Sequence, residues 1–174
     1  LQDSVKPFKT EQAIATLEKE LNQSVGELFK NFSDIPIASA SISQVHKAEL
    51  YSGELVAVKI QRPDIINQIN VDMEILKDLV HLFEGQFVFF KKLQFQQMVD
   101  EFERVIRKEL DFTIEASHFK RFKEDFKETQ RVKIPRVIGK ISTKKVLVTE
   151  LINGIKVSNI EKLNEWNINL KDLA

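Results

Sequence analysis

The chain has 174 residues, 43% of them hydrophobic and 30% charged, enough to bury one substantial core without staples. Its 26 basic and 26 acidic side chains cancel, so no field of one sign recruits nucleic acid. The absence of cysteine excludes disulfides and thiolate metal sites, and the longest apolar stretch, Phe87 to Phe90, is far short of the ~20 residues a membrane-spanning helix needs. The sequence opens on Leu1 and stops at Ala174 inside a helical-looking pattern of Ile168, Leu170 and Leu173, so it reads as part of a longer protein.

Thr10 before Glu11 resembles a helix cap, and Ile14, Leu17 and Leu21 recur at helical spacing, which predicts a first helix over residues 11 to 22. Pro36 stops any helix, and residues 42 to 50 alternate as a strand does, with either face available for burial. A polar turn at Tyr51 to Glu54 joins that strand to Leu55 to Ile60, a β-branched apolar run, predicting a hairpin. Pro63-Asp64 then opens a helix whose apolar stripe (Ile65, Ile69, Met73, Leu76, Val80) should pack on the sheet. From Leu93 to Phe126 the apolar spacing predicts one bent helix or two. After Pro135, Arg136 to Ile141 and Lys145 to Ile152 read as a second strand pair. Most of the 13 phenylalanines fall on helix faces, where core packing is the expected role.

The segment Val56-Ala57-Val58-Lys59 carries the strongest chemical signal, because a lysine inside an apolar strand is costly unless its ammonium meets an anion. That four-residue pattern is the one in which a kinase-type lysine holds nucleotide phosphates and is positioned by a helix glutamate. Taken alone it also fits an edge-strand lysine reaching out to water. Upstream, Ala38, Ser39, Ala40 and Ser41 stand where a glycine-rich phosphate loop would lie, and no G-x-G-x-x-G is present. Small side chains still let backbone N–H groups approach a phosphate, though alanine and serine resist the left-handed φ that glycine takes freely.

Three blocks in order, Pro36 to Ala48, Val56 to Pro63 and Glu109 to Ala116, resemble the UbiB/ADCK family of atypical, ABC1-type kinase-like proteins. That family has an alanine-rich loop P-I-A-A-A-S-I-x-Q-V-H-x-A, then V-A-V-K-x-Q-R-P, then E-x-D-[FY]-x-x-E-A. Here Ser39 replaces the central alanine of the loop. The resemblance implies an α+β fold, the N-lobe of a protein-kinase-like fold with an antiparallel sheet of about five strands and inserted helices. The lobe would cover residues 1–152, and residues 153–174 would be the hinge and the start of the C-lobe.

By the same resemblance the ATP site takes Lys59 on the phosphates, paired with Glu115, and the loop Ala38 to Ser41 above them. Val45 and Ala57 would flank the adenine, and the backbone of Glu150, Leu151 and Ile152 would meet its edge. Glu109 and Asp111 match the E-x-D acids, which in the family face a K-x-G-Q helix lying before Leu1. Spacing adds that Asp111 and Glu115 form an i,i+4 pair on one helical face, with Phe112, Ala116 and Phe119 turned elsewhere. The residues alone equally admit these acids as a solvated face paired with Arg107, Lys108 or Lys120.

His46, His81 and His118 are isolated, and no catalytic H-R-D or D-F-G segment occurs, so no metal ligand and no catalytic residue is assigned here. The Mg2+ that accompanies ATP would be held by residues beyond Ala174, and the fragment alone is expected to transfer no phosphoryl group. The whole protein is expected, by resemblance, to be an atypical kinase or ATPase supporting ubiquinone biosynthesis. It would act on the cytoplasmic side of a membrane, attached through parts outside this chain, with quinone-pathway proteins and lipid as partners. The alternative is a scaffold whose contacts respond to nucleotide without catalysis; a helical interaction module with an accidental hairpin is the remaining reading.

Overall fold

The computed structural model describes residues 5–86, 93–155, 157–166 and 168. The apolar run Phe87 to Phe90 and the terminal pattern at Leu170 and Leu173 lie outside the described residues. Helix α1 spans Thr10–Leu21, beginning one residue earlier than the spacing suggests, with Lys9 at its N-cap and left-handed Asn22 (φ 52°) closing it. The Thr10 hydroxyl caps nothing in the helix; it donates to the Asp34 carbonyl. A short helix α2, Val25–Leu28, follows, and the Glu27 carboxylate accepts both the Ser24 N–H and its hydroxyl.

Four strands follow the order β1-β2-β3-β4, all antiparallel: β1 Asn31–Ser39, β2 Ser43–Glu49, β3 Leu55–Gln61 and β4 Val146–Glu150. The hairpin between β2 and β3 turns at Gly53, whose φ of 86° is a conformation open to glycine at little cost. Strand β1 runs through Pro36, where the sequence predicts only a break. It is an edge strand with register irregularities on both sides of that proline, the setting in which a strand tolerates a missing N–H.

Four strands replace the expected five or so, because Arg136 to Ile141 does not form a strand. Val137 makes an isolated bridge to Thr149, and Gly139–Ile141 curls into a 3-10 turn. The Ser142 hydroxyl takes the Val148 N–H and donates to the Ile138 carbonyl, so a side chain occupies a position a ladder would need.

Helix α3, Ile65–Gln86, packs on α4, Phe95–Glu109, instead of on the sheet, tied by the Lys77–Glu103 ion pair at 2.5 Å and by Arg107 donating to Asn70 Oδ1 at 3.1 Å. The core face of the sheet is covered by α1 instead. Ala13 and Leu17 of α1 join Ala48, Val56, Val58, Ile60, Val146 and Val148 in one buried core. The long pattern after Leu93 resolves into two helices, α4 and α5 (Phe112–Asp125), separated at Leu110-Asp111. A last short helix, α6, Ile160–Glu165, is capped by Asn159. The phenylalanine expectation holds only in part: Phe29 and Phe112 are buried, whereas Phe83, Phe102, Phe122 and Phe126 are exposed.

Candidate nucleotide site

Strand alternation sorts the sheet into two faces. Val56, Val58 and Ile60 point into the core under α1, so Ala57 and Lys59 occupy the opposite face. Directly opposed residues share a face, and two cross-strand rows therefore extend the patch: Val45–Lys59–Leu147 and Lys47–Ala57–Thr149. Ala38 joins it opposite Val45. Ser39 does not, since it opposes Gln44, which lies with buried His46 on the core side; the Ser39 hydroxyl is buried there without a hydrogen-bond partner.

The α4–α5 joint brings the acid to the lysine. Gln61, buried at the end of β3, donates to the Leu110 carbonyl at 2.9 Å, and the Phe112 N–H donates to the Lys144 carbonyl at 3.0 Å. Asp111 caps α5, accepting the Thr113 N–H at 3.0 Å. One turn on, Glu115 Oε2 lies 2.5 Å from Lys59 Nζ, and the Phe112 ring centre lies 4.7 Å from the same ammonium. Phe112 therefore faces Lys59 and does not turn elsewhere. Asp111 is no i,i+4 partner of Glu115 on a continuous helix, because it stands at the cap with extended φ and ψ. Its carboxylate is spent on Thr113 and, at 3.9 Å, on Lys144. Glu109, exposed at the end of α4, forms no side-chain hydrogen bond or ion pair among the described residues. The structure thus brings together Lys59 and Glu115 and leaves the E-x-D acids apart from them.

With side chains 26% and 38% exposed, the Lys59–Glu115 pair contributes little to folding. What it does is orient. An ammonium has three donors, and with one held by Glu115 the others are available to anionic oxygens.

Around the patch, the β1–β2 turn at Ala40 to Ile42 is closed by Ala40 N–H to Ser43 carbonyl at 2.8 Å and takes no left-handed φ. At the far end of the sheet, the Glu150 N–H donates to the Arg136 carbonyl at 2.8 Å and the Leu151 N–H to the Leu55 carbonyl at 3.0 Å. Of Glu150, Leu151 and Ile152, only Ile152 keeps an N–H without a partner among the described residues. The Glu150 carboxyl is held below its usual range by Lys133 and then by the Arg136 N–H, so it is a buttress with its charge engaged. A cavity of about 660 Å³, lined by Gly154, Ile155 and residues 158–162, includes none of the residues expected at the nucleotide site. Among the described residues no three His, Asp or Glu side chains gather as a metal site.

The family model of the ABC1 atypical kinase-like domain matches residues 1–174. The chain belongs to that family. An uncharacterized Synechocystis protein is 37% identical over 98% of the chain, and a second is 33% identical over all of it. A probable protein kinase UbiB from Marinobacter nauticus is 36% identical, again over the whole chain. The chain spans 31%, 30% and 32% of the lengths of these relatives. Among solved structures, the Rv3197–erythromycin complex from Mycobacterium tuberculosis matches with a TM-score of 0.73 and 31% identity over 90% of this chain and 39% of that one. The α+β lobe described above is accordingly the kinase-like fold of an ABC1 protein.

Phe112, Leu147, Thr149 and Gln61 also border the site, although no motif in the sequence marks them as site residues. Phe112 and Gln61 lie inside the motif blocks, so proximity to Lys59 and Glu115 was the available signal. Leu147 and Thr149 needed the β3–β4 register, which no local pattern carries.

Proposed function

We propose that this ABC1 lobe binds ATP, with Lys59 on the phosphates, Glu115 orienting Lys59, and the adenine against Val45 and Ala57. The observation that carries the proposal is the Lys59–Glu115 pair at 2.5 Å on the face that also carries Ala38, Val45 and Ala57. A cation that kept its partner at the edge of the site while meeting phosphate oxygens would have the geometry a nucleotide needs. Ala57 and Ala38 leave room on that face where larger side chains would fill it, so the residues present fit the ligand. The adenine edge would be read by the Ile152 N–H, since those of Glu150 and Leu151 are already engaged.

On this reading residues 1–152 form the nucleotide lobe and residues 153–174 the hinge and the approach to the second lobe. The magnesium ligands and the groups that act on the phosphoryl would come from the remainder of the protein. The family resemblance extends the proposal to a kinase or ATPase that supports ubiquinone biosynthesis at a membrane; no helix among the described residues is long and apolar enough to cross one.

An acyl-phosphate derivative of ATP tests the site. The Lys59 amine, sitting at the phosphates, attacks the acyl carbon and ATP leaves, so Lys59 should be acylated in the full-length protein and excess ATP should prevent it. Labelling of other lysines with Lys59 untouched would overturn the proposal.

A further inference from the structure

Arg62 lies just past β3 and has no part in the contacts of Lys59. Its guanidinium donates from Nε to the Ser41 carbonyl at 3.1 Å, and from Nη2 to the Ala40 carbonyl at 3.1 Å and the Lys6 carbonyl at 3.3 Å. Its backbone N–H donates to the Ile42 carbonyl at 2.8 Å. One residue therefore holds three successive carbonyls of the alanine-rich turn. The guanidinium is itself seated 5.0 Å from the Phe8 ring centre.

In a planar trans peptide the C=O and the N–H point in opposite directions. Drawing the Ala40 and Ser41 carbonyls toward Arg62 turns the Ser41 and Ile42 N–H groups away from it. Neither N–H has a hydrogen-bond partner among the described residues. Phe8 packs against the core, so Arg62 draws the carbonyls to that side and turns the two donors away from it. Consecutive free N–H groups on a turn are an anion-binding arrangement.

We infer that Arg62 is a positioning residue for a phosphate-binding turn: it fixes the Ser41 and Ile42 amide donors toward the oligophosphate of a nucleotide. A glycine-rich loop reaches such a geometry through φ angles that alanine and serine resist; here an external guanidinium sets it with none in the left-handed region. The inference rests on the nucleotide reading of this face and adds the residue that shapes its loop.

The test is calorimetric titration of full-length protein with Mg-ATP and, separately, with adenosine, for wild type, Arg62→Ala, Arg62→Lys and Lys59→Ala. Both Arg62 variants should weaken ATP by about tenfold while adenosine affinity stays within about twofold, the size of one well-placed hydrogen bond. Arg62→Lys keeps the charge and loses the fork, so it separates geometry from simple attraction, and it carries the test if Arg62→Ala fails to fold. Lys59→Ala weakening ATP while both Arg62 variants keep the wild-type ratio of ATP to adenosine affinity would overturn the role of Arg62. Equal weakening of both ligands by the Arg62 variants would make it a purely structural residue and overturn it too. Lys59→Ala leaving ATP affinity unchanged would instead sink the nucleotide reading itself.

Discussion

His46 shows what one side chain decides here. It is fully buried and stacked on Phe32 at 4.9 Å between ring centres, with Nδ1 2.8 Å from the Ser33 carbonyl and Nε2 2.8 Å from Gln44 Nε2. A carbonyl on one nitrogen and an amide donor on the other select the neutral ring with its proton on Nδ1. Burial lowers its pKa from 6.5, against the opposing pull of the Ser33 carbonyl and Asp34. Because the folded value lies below the unfolded one, the unfolded chain binds the extra proton first. The stabilising contribution is complete above about pH 6.5 and drains as pH falls below it. Urea unfolding at about pH 7.5 and about pH 5 should show a loss in wild type that is smaller in His46→Gln. A stability as pH-dependent in the variant as in wild type would contradict this. Strand alternation sets Gln44 and His46 on one side, but local spacing encodes neither which side is buried nor the Ser33 partner 13 residues away.

At the scale of elements, the decisive feature is the break between α4 and α5. Apolar spacing runs across it from Ile106 through Leu110 to Phe119, so periodicity alone could not tell one bent helix from two. The cap signal is present in the sequence, an aspartate just before Phe112-Thr113-Ile114-Glu115, and a cap at Asp111 rules out an i,i+4 pair with Glu115 on one continuous helix. Asp111→Ala should cost about 1 kcal/mol of unfolding free energy, with Asp111→Asn recovering most of it, as expected for an N-cap. Denaturant melts giving wild-type stability for the alanine variant would show that Gln61 and Phe112 hold the joint unaided. Other elements escaped for equally local reasons. Pro36 resembled a terminator although an edge strand tolerates it, and the α3 stripe resembled a sheet-packing face although α1 had taken that place.

For the molecule as a whole, helix α1, the Lys59 hairpin, strand β4 and the family were legible, because each rests on contiguous residues. Long-range facts were not: the strand register that aligns Val45, Lys59 and Leu147, the Arg62 clamp on the β1–β2 turn, and the exposed phenylalanines of the later helices. The Lys59–Glu115 pair links these scales, since it joins β3 to α5 across 56 residues of chain. If its purpose is to hold Lys59 on a nucleotide, the two residues must act as a unit, and their effects on binding cannot add. The decisive measurement is a double-mutant cycle on Mg-ATP affinity in the full-length protein, using Lys59→Ala, Glu115→Ala and both together. Lys59→Ala should weaken binding by roughly 10- to 100-fold, the range for a charge-assisted hydrogen bond, and the double variant should bind no more weakly than Lys59→Ala alone. Losses that add across the cycle, or a Lys59→Ala protein that binds Mg-ATP like wild type, would contradict the account.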